Sequence, residues 1–232
     1  MRILLLMSLP LIGTLLFVSS FRSTLPHWSG PAFIPLMLIA AIYLSSVAKV
    51  WPIRILHTSW IFLLCVGLLG AFLINHFPGT IGSETKEKYG KGDVTLDMYG
   101  WQDFSQNFKK IVALDKGSGK MQSNSFIVSN KWFPSAHLDF YVARPNNMPF
   151  QALGTLNDIH HYYWLNEVRL KLKAGDDAYI IVPSTIPCEV EKAYIDYFKQ
   201  IEKPEIVSQY RGGKLVRYFY IYRAHNYLGD KN

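Results

Sequence analysis

The stretch "PAFIPLMLIAAIYLSSVAKV", residues 31–50, decides the fold class because it contains no acidic residue and only one basic residue, Lys49. Similar apolar runs flank it at residues 3–20 and 55–74. At a rise of ~1.5 Å per residue, a helix of about 20 residues is ~30 Å long, which matches the hydrocarbon layer of a bilayer. Backbone groups in lipid must satisfy one another, so each run is predicted to be a transmembrane helix.

Two other interpretations of these runs stay open. The first run also resembles a signal peptide with Arg2 as its charged start, although no small-residue cleavage site is clear before Arg22. Buried core helices of a soluble protein are the second alternative. Three such runs without one acidic residue exceed what a soluble core needs. The sequence therefore predicts a three-helix transmembrane region over residues 1–79.

Charge is distributed unevenly along the chain. The 232 residues carry 24 Lys/Arg and 17 Asp/Glu, a net charge of +7. Residues 1–79 contain no Asp or Glu, and their basic residues are Arg2, Arg22, Lys49 and Arg54. The rest of the chain is close to balance, which argues against a nucleic-acid partner. We predict membrane lipid as a partner and no nucleic acid.

The basic residues also predict the orientation in the membrane. Arg2, Lys49 and Arg54 fall on one side, whereas only Arg22 lies in the short loop on the other side. By the positive-inside rule the side with more basic residues is cytoplasmic. The sequence thus predicts a multi-pass protein of the cytoplasmic (inner) membrane, with everything after residue 74 outside the cytoplasm.

The polar part predicts a linker over residues 80–92, "TIGSETKEKYGKG", followed by a small extracytoplasmic α/β domain over residues 93–232. Helices and short apolar strands alternate there, and a hairpin turns at Gly212 and Gly213. The predicted strands are "SFIVS" and "AYIIVPS", and the predicted helices are "WQDFSQNFKKIVA", "FPSAHLDFYVAR" and "CEVEKAYIDYFKQI". Their apolar faces are predicted at Phe104, Phe108, Ile111 and Val112; at Phe133, Ala136, Phe140 and Ala143; and at Val190, Ala193, Tyr194, Tyr197 and Phe198.

Candidate catalytic and metal-binding patterns in this part are weak. "DKGSGK", residues 115–120, lacks the first glycine and the final Ser or Thr of a phosphate-binding loop, so a flexible loop is predicted. His160 and His161 are neighbours that would point to opposite faces of a strand, and nothing shows His137 as a third ligand. Cys188 follows a proline and resembles a helix start. We predict no catalytic residue, no metal site and no identifiable cofactor.

The loop "HWSGPAF", residues 27–33, is the strongest candidate binding site. Arg22, His27 and Trp28 would lie together at the outer surface of the membrane. A cation, an imidazole and an aromatic edge at the depth of the lipid headgroups suit a phosphate. The alternative is an interfacial anchor with Pro31 in the first turn of the next helix. We predict contact of these three residues with a lipid phosphate or with an acceptor.

Several segments together resemble a known family. "LPHWSGPAFIPLMLIAA", "DMYGWQDF", "FIVSNKWFPSAHLDFYVAR", "YYW" and "GDDAYIIVPS" are similar to the C-terminal part of bacterial membrane glycosyltransferases. These are glycosyltransferase family 39 and the related aminoarabinose transferases, which are similar to dolichyl-phosphate-mannose–protein mannosyltransferases. The resemblance covers nearly the whole chain but only the last third to half of such an enzyme.

The resemblance implies inverting transfer of a sugar from a polyprenyl-phosphate carrier outside the cytoplasmic membrane. The family's catalytic Asp lies in the first outer loop of the complete enzyme, where it acts as a base or a partner of a divalent metal. This sequence has no carboxylate before Glu84. The resemblance therefore implies that the chain is inactive alone and that a missing N-terminal half supplies the Asp. His27 and Trp28 match the family's loop near the carrier cavity, and Arg22 is added by proximity.

Two function classes compete. One is the C-terminal portion of a lipid-linked sugar transferase, as a truncated product or half of a split enzyme. The other is a stand-alone membrane-anchored binding or accessory module whose α/β domain meets a partner or a glycan. A membrane-tethered hydrolase is a weaker third alternative because the sequence shows no recognisable nucleophile or acid pair.

Overall fold

The structure, a computed structural model, describes residues 1–22, 24, 26–46 and 51–229, except for the side chains of residues 26, 27, 51 and 52. The chain divides into two compact units, Met1–Leu68 and Leu69–Asn232. The boundary falls inside the third helix, so the last turns of that helix belong to the second unit. The architecture comprises apolar helices followed by a mixed α/β domain.

Apolar helices form the first unit and the start of the second. They are α1 (Arg2–Ser19), α2 (Gly30–Ser46) and α3 (Trp51–His76), with a short 3-10 helix, Pro26–Ser29, before α2. By length and composition, α1 and the part of α3 from Ile53 to His76 could cross a membrane, whereas α2 is shorter. Residues 47–50 of the predicted second run lie outside the described residues. The described chain thus contains two candidate spans where the sequence predicts three.

The second unit is built on a six-stranded mixed sheet. The described strands are β1 (Phe126–Ser129), β2 (Phe150–Ala152), β3 (Ala178–Pro183), β4 (Phe198–Ile201), β5 (Glu205–Arg211) and β6 (Lys214–Tyr227). The order is β2-β1-β3-β6-β4, and β5 also pairs with β6. β1 pairs in parallel with β2 and β3, whereas β6 runs antiparallel to β3, β4 and β5.

Helices cover both faces of this sheet because alternate residues of its strands point to opposite sides. The α-helices described in this unit after α3 are α4 (Trp101–Gly117), α5 (Trp132–His137), α6 (Leu156–Ile159), α7 (Tyr162–Val168) and α8 (Val190–Tyr194). Short 3-10 helices lie at Lys86–Lys88, Val94–Leu96 and Arg144–Asn146. One core packs the apolar face of α4 against Tyr179 and Phe219, and the other packs α8 against Ile180 and Ala224. The predicted helix α4, the strands β1 and β3 and the β5–β6 hairpin are confirmed.

The predicted helix "FPSAHLDFYVAR" differs from the structure in its buried face. α5 continues into a π-helical turn, Leu138–Ala143. A π turn has a wider hydrogen-bonding interval than an α turn, so it shifts which side chains face inward. Leu138 and Val142 are buried, whereas Phe140 is 53% exposed. The prediction of Phe140 as a core residue was wrong.

The predicted helix "CEVEKAYIDYFKQI" is shorter than its apolar pattern suggests. α8 ends at Tyr194, and Phe198 begins β4 opposite Tyr227 of β6. Val190, Tyr194 and Phe198 are buried as predicted. In a helix, residues four and eight positions apart lie on the same face, but here a turn and a strand bury Phe198 instead. Pairing with the long β6 strand therefore overrides the helical pattern.

Residues 80–92, predicted as a linker, belong to the second unit and are hydrogen-bonded to the rest of it. The Thr80 hydroxyl and the Ile81 amide donate to Asp93 Oδ2 at 2.8 and 3.1 Å. The Ser184 hydroxyl donates to the Tyr89 carbonyl at 2.6 Å. Gly90 has a φ of 80°, and a Cβ there would lie 2.5 Å from the Val216 carbonyl oxygen. The polar, glycine-rich composition thus reflects close backbone packing in this segment.

Candidate functional site

The predicted loop site lies in the first unit, between α1 and α2. Arg22 follows the end of α1, where its backbone amide donates to the Val18 carbonyl at 2.9 Å. Trp28 lies in the 3-10 helix before α2 and is 48% exposed. The backbone of His27 is in the same 3-10 helix, but its side chain lies outside the described part of the structure. The structure places Arg22 and Trp28 on the two arms of one loop.

A groove of about 230 Å³ lies at this loop, and its walls are mostly apolar. α1 and α2 pack against each other and leave this groove beside their connection. Such a groove suits an apolar chain better than a polar molecule, because apolar surface is stabilised by burial against other apolar surface. Its lining residues are Ile12, Leu15, Leu16, Ser19, Thr24, Ser29 and Phe33.

The "YGW" segment, Tyr99–Trp101, forms a tight turn at the start of α4 in the second unit. Gly100 has a φ of 72°, and a Cβ there would lie 2.1 Å from Gln209 Nε2. The Gln209 side-chain amide donates to the Gly100 carbonyl at 2.5 Å. A residue with a side chain would displace Gln209 and strain the backbone, so glycine is required at this position.

Arg217 stabilises this turn through hydrogen bonds to its backbone. Its side chain is 1% exposed and donates to the carbonyls of Leu96 and Tyr99 and to Gln209 Oε1. Its guanidinium lies 4.6 Å from the centre of the Trp101 ring. Burial lowers the pKa of Arg217 to about 9, so the group remains charged near neutral pH. The buried cation therefore fixes the backbone of the turn through its hydrogen bonds.

Arg211 joins the end of α3 to the sheet. It is 1% exposed and donates to the carbonyls of Ile74 and Gly79 at 3.1 and 2.8 Å. It also donates to Thr95 Oγ1 at 2.8 Å and to Asp93 Oδ2 at 3.3 Å. The last carbonyls of a helix lack partners within the helix, and Arg211 satisfies one of them. The end of α3 is thereby fixed relative to β5.

A polar pocket of about 280 Å³ opens in front of the "YGW" turn. The sequence pattern of this segment indicated only the family resemblance and did not predict the pocket. The sequence of β6 does indicate buried charge near this site, because Arg217 and Arg223 interrupt an otherwise apolar face that includes Phe219 and Ile221. The lining residues are Asn75, Met98, Tyr99, Gly100, Trp101, Gln102, Asp103 and Tyr141.

The three candidate histidines of this unit have different surroundings. His137 stacks on Trp101 with 4.7 Å between ring centres, and burial together with the charge of Arg217 lowers its pKa to about 4. His160 stacks on Trp132, and His161 contacts the Tyr162 ring. Within the described residues, no group of three or more His, Cys, Asp or Glu side chains could hold a metal ion.

A second cleft, of about 320 Å³, lies where β1 and β3 end. The carboxyl ends of parallel strands are a common location of ligand sites in α/β folds. The Asn130 side-chain amide lies 3.3 Å from Cys188 Sγ in this cleft, beside Lys131 and Trp132. Burial raises the pKa of the Cys188 thiol, which disfavours a nucleophilic thiolate. The residues that line this cleft come from separate segments of the chain, so their spacing in the sequence did not predict the cleft.

The "DKGSGK" segment has a structural role at its first residue. Asp115 lies in the last turn of α4, is buried, and accepts from Arg223 Nε at 2.7 Å and from the Tyr179 hydroxyl at 3.0 Å. These bonds use the carboxylate to join α4 to the sheet.

Comparisons with protein-family models, with curated proteins and with solved structures find no match for this chain.

Proposed function

We propose that the protein takes part in transferring a sugar from a polyprenyl-phosphate carrier at the outer face of the cytoplasmic membrane. In this proposal α1, α2 and α3 lie in the membrane and the α/β domain is extracytoplasmic. The protein corresponds to the C-terminal portion of a transferase similar to glycosyltransferase family 39. Support comes from the quoted sequence segments and from the groove beside the loop of residues 24–33.

The groove is the observation that carries this proposal. Its apolar wall at Leu16 and Phe33 suits a segment of a polyprenyl chain, and its lining residue Ser29 follows the exposed Trp28 in the sequence. Arg22 and His27 would supply positive charge and hydrogen-bond donors to the carrier phosphate at the membrane surface. An apolar groove next to a loop that carries basic and aromatic residues would suit an amphipathic lipid phosphate.

The proposal assigns the catalytic carboxylate to another part of the complete enzyme. Residues 1–79 contain no Asp or Glu, so the membrane helices of this chain offer no carboxylate as a general base. The chain would supply the carrier-binding loop and the α/β domain, and further helices would supply the Asp. We expect the chain alone, in membranes with polyprenyl-linked sugar donors, to show no sugar transfer. Turnover by the chain alone would contradict this assignment.

Carrier binding gives the direct test. The full chain in lipid nanodiscs is titrated with undecaprenyl phosphate, and binding is measured by native mass spectrometry. We expect Trp28→Ala and Arg22→Gln each to weaken binding about tenfold, which corresponds to ~1.4 kcal/mol. Trp60→Ala is the control, because Trp60 is an exposed tryptophan like Trp28 but lies within α3, away from the loop in the sequence. Equal affinities for all four proteins would show that the loop is only an anchor.

The second candidate is a stand-alone membrane-anchored binding or accessory module. It is favoured by the second unit, whose two cores cover both faces of the sheet. This candidate predicts a stable, monodisperse protein that does not bind undecaprenyl phosphate at the loop. The titration therefore separates the two functions: carrier binding that depends on Trp28 supports the transferase, and its absence supports the module.

A further inference from the structure

The pocket in front of Tyr99–Trp101 lies entirely within the second unit. Asn75, from the last turn of α3, forms one side, and Gln102 and Asp103, from the first turn of α4, form another. Tyr141, from the π-helical turn, completes the lining. Three elements thus contribute polar side chains to one concave site. Its volume of about 280 Å³ is close to the lower end of small-molecule sites, ~300–1,000 Å³.

The walls of this pocket are fixed by internal hydrogen bonds and ring contacts. Trp101 Nε1 donates to the Asp97 carbonyl at 2.8 Å, and the Tyr99 hydroxyl donates to the Tyr210 carbonyl at 3.0 Å. His137 is stacked between Trp101 and Tyr141, with 4.7 and 5.9 Å between ring centres. A ligand would therefore meet a preformed surface and would lose little affinity to ordering it.

The polar groups of the pocket favour a neutral, hydroxyl-rich ligand. The Asp103 carboxylate accepts hydrogen bonds, and the Asn75 and Gln102 amides can both donate and accept. Hydroxyl groups on a sugar ring have the matching ability to donate and to accept. The phenol rings of Tyr99 and Tyr141 add flat surfaces on which the C–H face of a sugar can pack. This combination suits a saccharide better than an apolar molecule.

An anion fits this pocket poorly. Asp103 is an exposed carboxylate in the first turn of α4, where it already provides negative charge at the positive end of the helix dipole. The nearby cations Arg211 and Arg217 are buried and donate to backbone carbonyls, Gln209, Thr95 and Asp93. A free phosphate at this pocket would face the Asp103 charge without a direct cationic partner among these groups.

We propose that this pocket binds one monosaccharide unit, either free or as the head group of a lipid carrier. The lipid-linked source rests on the proposed function, whereas recognition of the sugar itself does not. Asn75 belongs to the end of α3, so a membrane-spanning α3 would place the pocket at the membrane surface. A sugar attached to a membrane carrier is presented at that level.

Binding of free sugars tests the pocket without the carrier. The full chain in detergent micelles is mixed with methyl glycosides of glucose, mannose, galactose and arabinose, and binding is measured by saturation-transfer NMR. We expect at least one glycoside to bind, with inorganic phosphate neither binding nor competing. Asp103→Asn and Gln102→Ala should each weaken that binding about tenfold, the effect of losing a hydrogen bond to a charged or well-placed polar group.

The matched control is Glu191→Gln, which removes an exposed carboxylate from the first turn of another helix, α8. We expect this variant to bind like the parent. All three substituted positions are exposed, so thermal unfolding should change little and should confirm that the variants fold. The proposal is overturned if no glycoside binds, if phosphate competes, or if Asp103→Asn and Glu191→Gln behave alike.

A second titration separates the pocket from the proposed function. Undecaprenyl phosphate and undecaprenyl-phosphate glucose and mannose are compared in nanodiscs. We expect the sugar-bearing carriers to bind more tightly, and Asp103→Asn to remove only this difference. Carrier binding with no advantage from either sugar overturns a lipid-linked source at this pocket. Free-glycoside binding without carrier binding supports the pocket and contradicts the proposed transferase.

Discussion

The two units differ most in where their large apolar side chains lie. In the first unit Leu6 and Phe62 are 71% and 69% exposed, whereas in the second unit Phe104 and Phe219 are 1% and 0% exposed. Apolar surface left in water is costly, and extended exposed patches mark contact with lipid or protein. The second unit has its own apolar core, whereas the described helices of the first unit leave many large apolar side chains exposed.

The units also differ in the pairing and burial of their charged side chains. The first unit has no acidic residue, so its few basic groups have no carboxylate partner within Met1–Leu68. The second unit buries Arg211, Arg217 and Arg223 and binds them through carboxylates, carbonyls and an amide. Among the described residues, Arg211 Nε has no hydrogen-bond partner. Burying a charge is tolerated only when it is hydrogen-bonded or paired. The second unit thus depends on buried, hydrogen-bonded charges, whereas the sequence of the first unit contains no acidic residue that could pair with its basic groups.

The largest contrast is expected from a matched pair of phenylalanine substitutions. Phe219→Ala removes a buried ring that stacks on Phe104 at 3.9 Å between ring centres, so it should lower the free energy of unfolding by ~3–5 kcal/mol. Phe62→Ala removes an exposed ring and should change it by less than ~0.5 kcal/mol. Denaturant unfolding of the full chain in detergent, followed by near-ultraviolet circular dichroism, measures both. Equal losses would contradict the comparison.

Breaking the buried Arg211–Asp93 pair is the next test. Arg211→Met leaves Asp93 without its cation and leaves the Ile74 and Gly79 carbonyls unsatisfied, so it should cost ~3–5 kcal/mol of unfolding free energy. The double variant Arg211→Met with Asp93→Leu should recover part of this loss, because no buried charge is left unpaired. The same unfolding measurement applies. A double variant less stable than Arg211→Met would indicate that Asp93 acts mainly through Thr80 and Thr95.

His137 should make the free energy of unfolding of the second unit depend on pH. Burial, and then the charge of Arg217, lowers its pKa from 6.5 to about 4 in the folded protein. Between these values the unfolded chain binds more protons, so stability is complete above pH 6.5 and falls as the pH drops toward about 4, by at most ~3 kcal/mol. His137→Phe keeps a ring in the stack and should flatten this part of the profile. Parallel profiles for parent and variant would exclude His137 as the cause.

The smallest effect is expected at a surface ion pair. Lys120 Nζ lies 2.9 Å from Glu202 Oε2, and both side chains are partly exposed. Solvent-exposed pairs contribute about 0–1 kcal/mol, so Lys120→Gln should change the unfolding free energy by less than ~1 kcal/mol. Added salt should reduce the difference further, because salt screens exposed charges. A loss as large as that of Arg211→Met would mean that surface charge matters as much as buried charge here.

Sequence patterns predicted those elements whose burial follows one simple period. α4 has apolar residues at Phe104, Phe108 and Ile111, and β3 is a continuous apolar run, so both were located correctly. The π-helical turn was not predictable, because its shifted face depends on packing against α4. β4 was not predictable either, because Phe198 at its start pairs with Tyr227, which lies about 30 residues away in the sequence. Pairing with a distant strand outweighs the local helical propensity of this segment.

The sequence by itself determined the apolar helices, the acid-free character of residues 1–79, and the alternation of helices and strands after them. These follow from local hydrophobicity and period, which each segment carries independently. Only the tertiary structure decided that Asn75, the turn at Gly100 and Tyr141 share one pocket, and that Arg211 and Arg217 support it from within. Those contacts join residues up to about 140 positions apart, and only the packing of the sheet and helices brings them together.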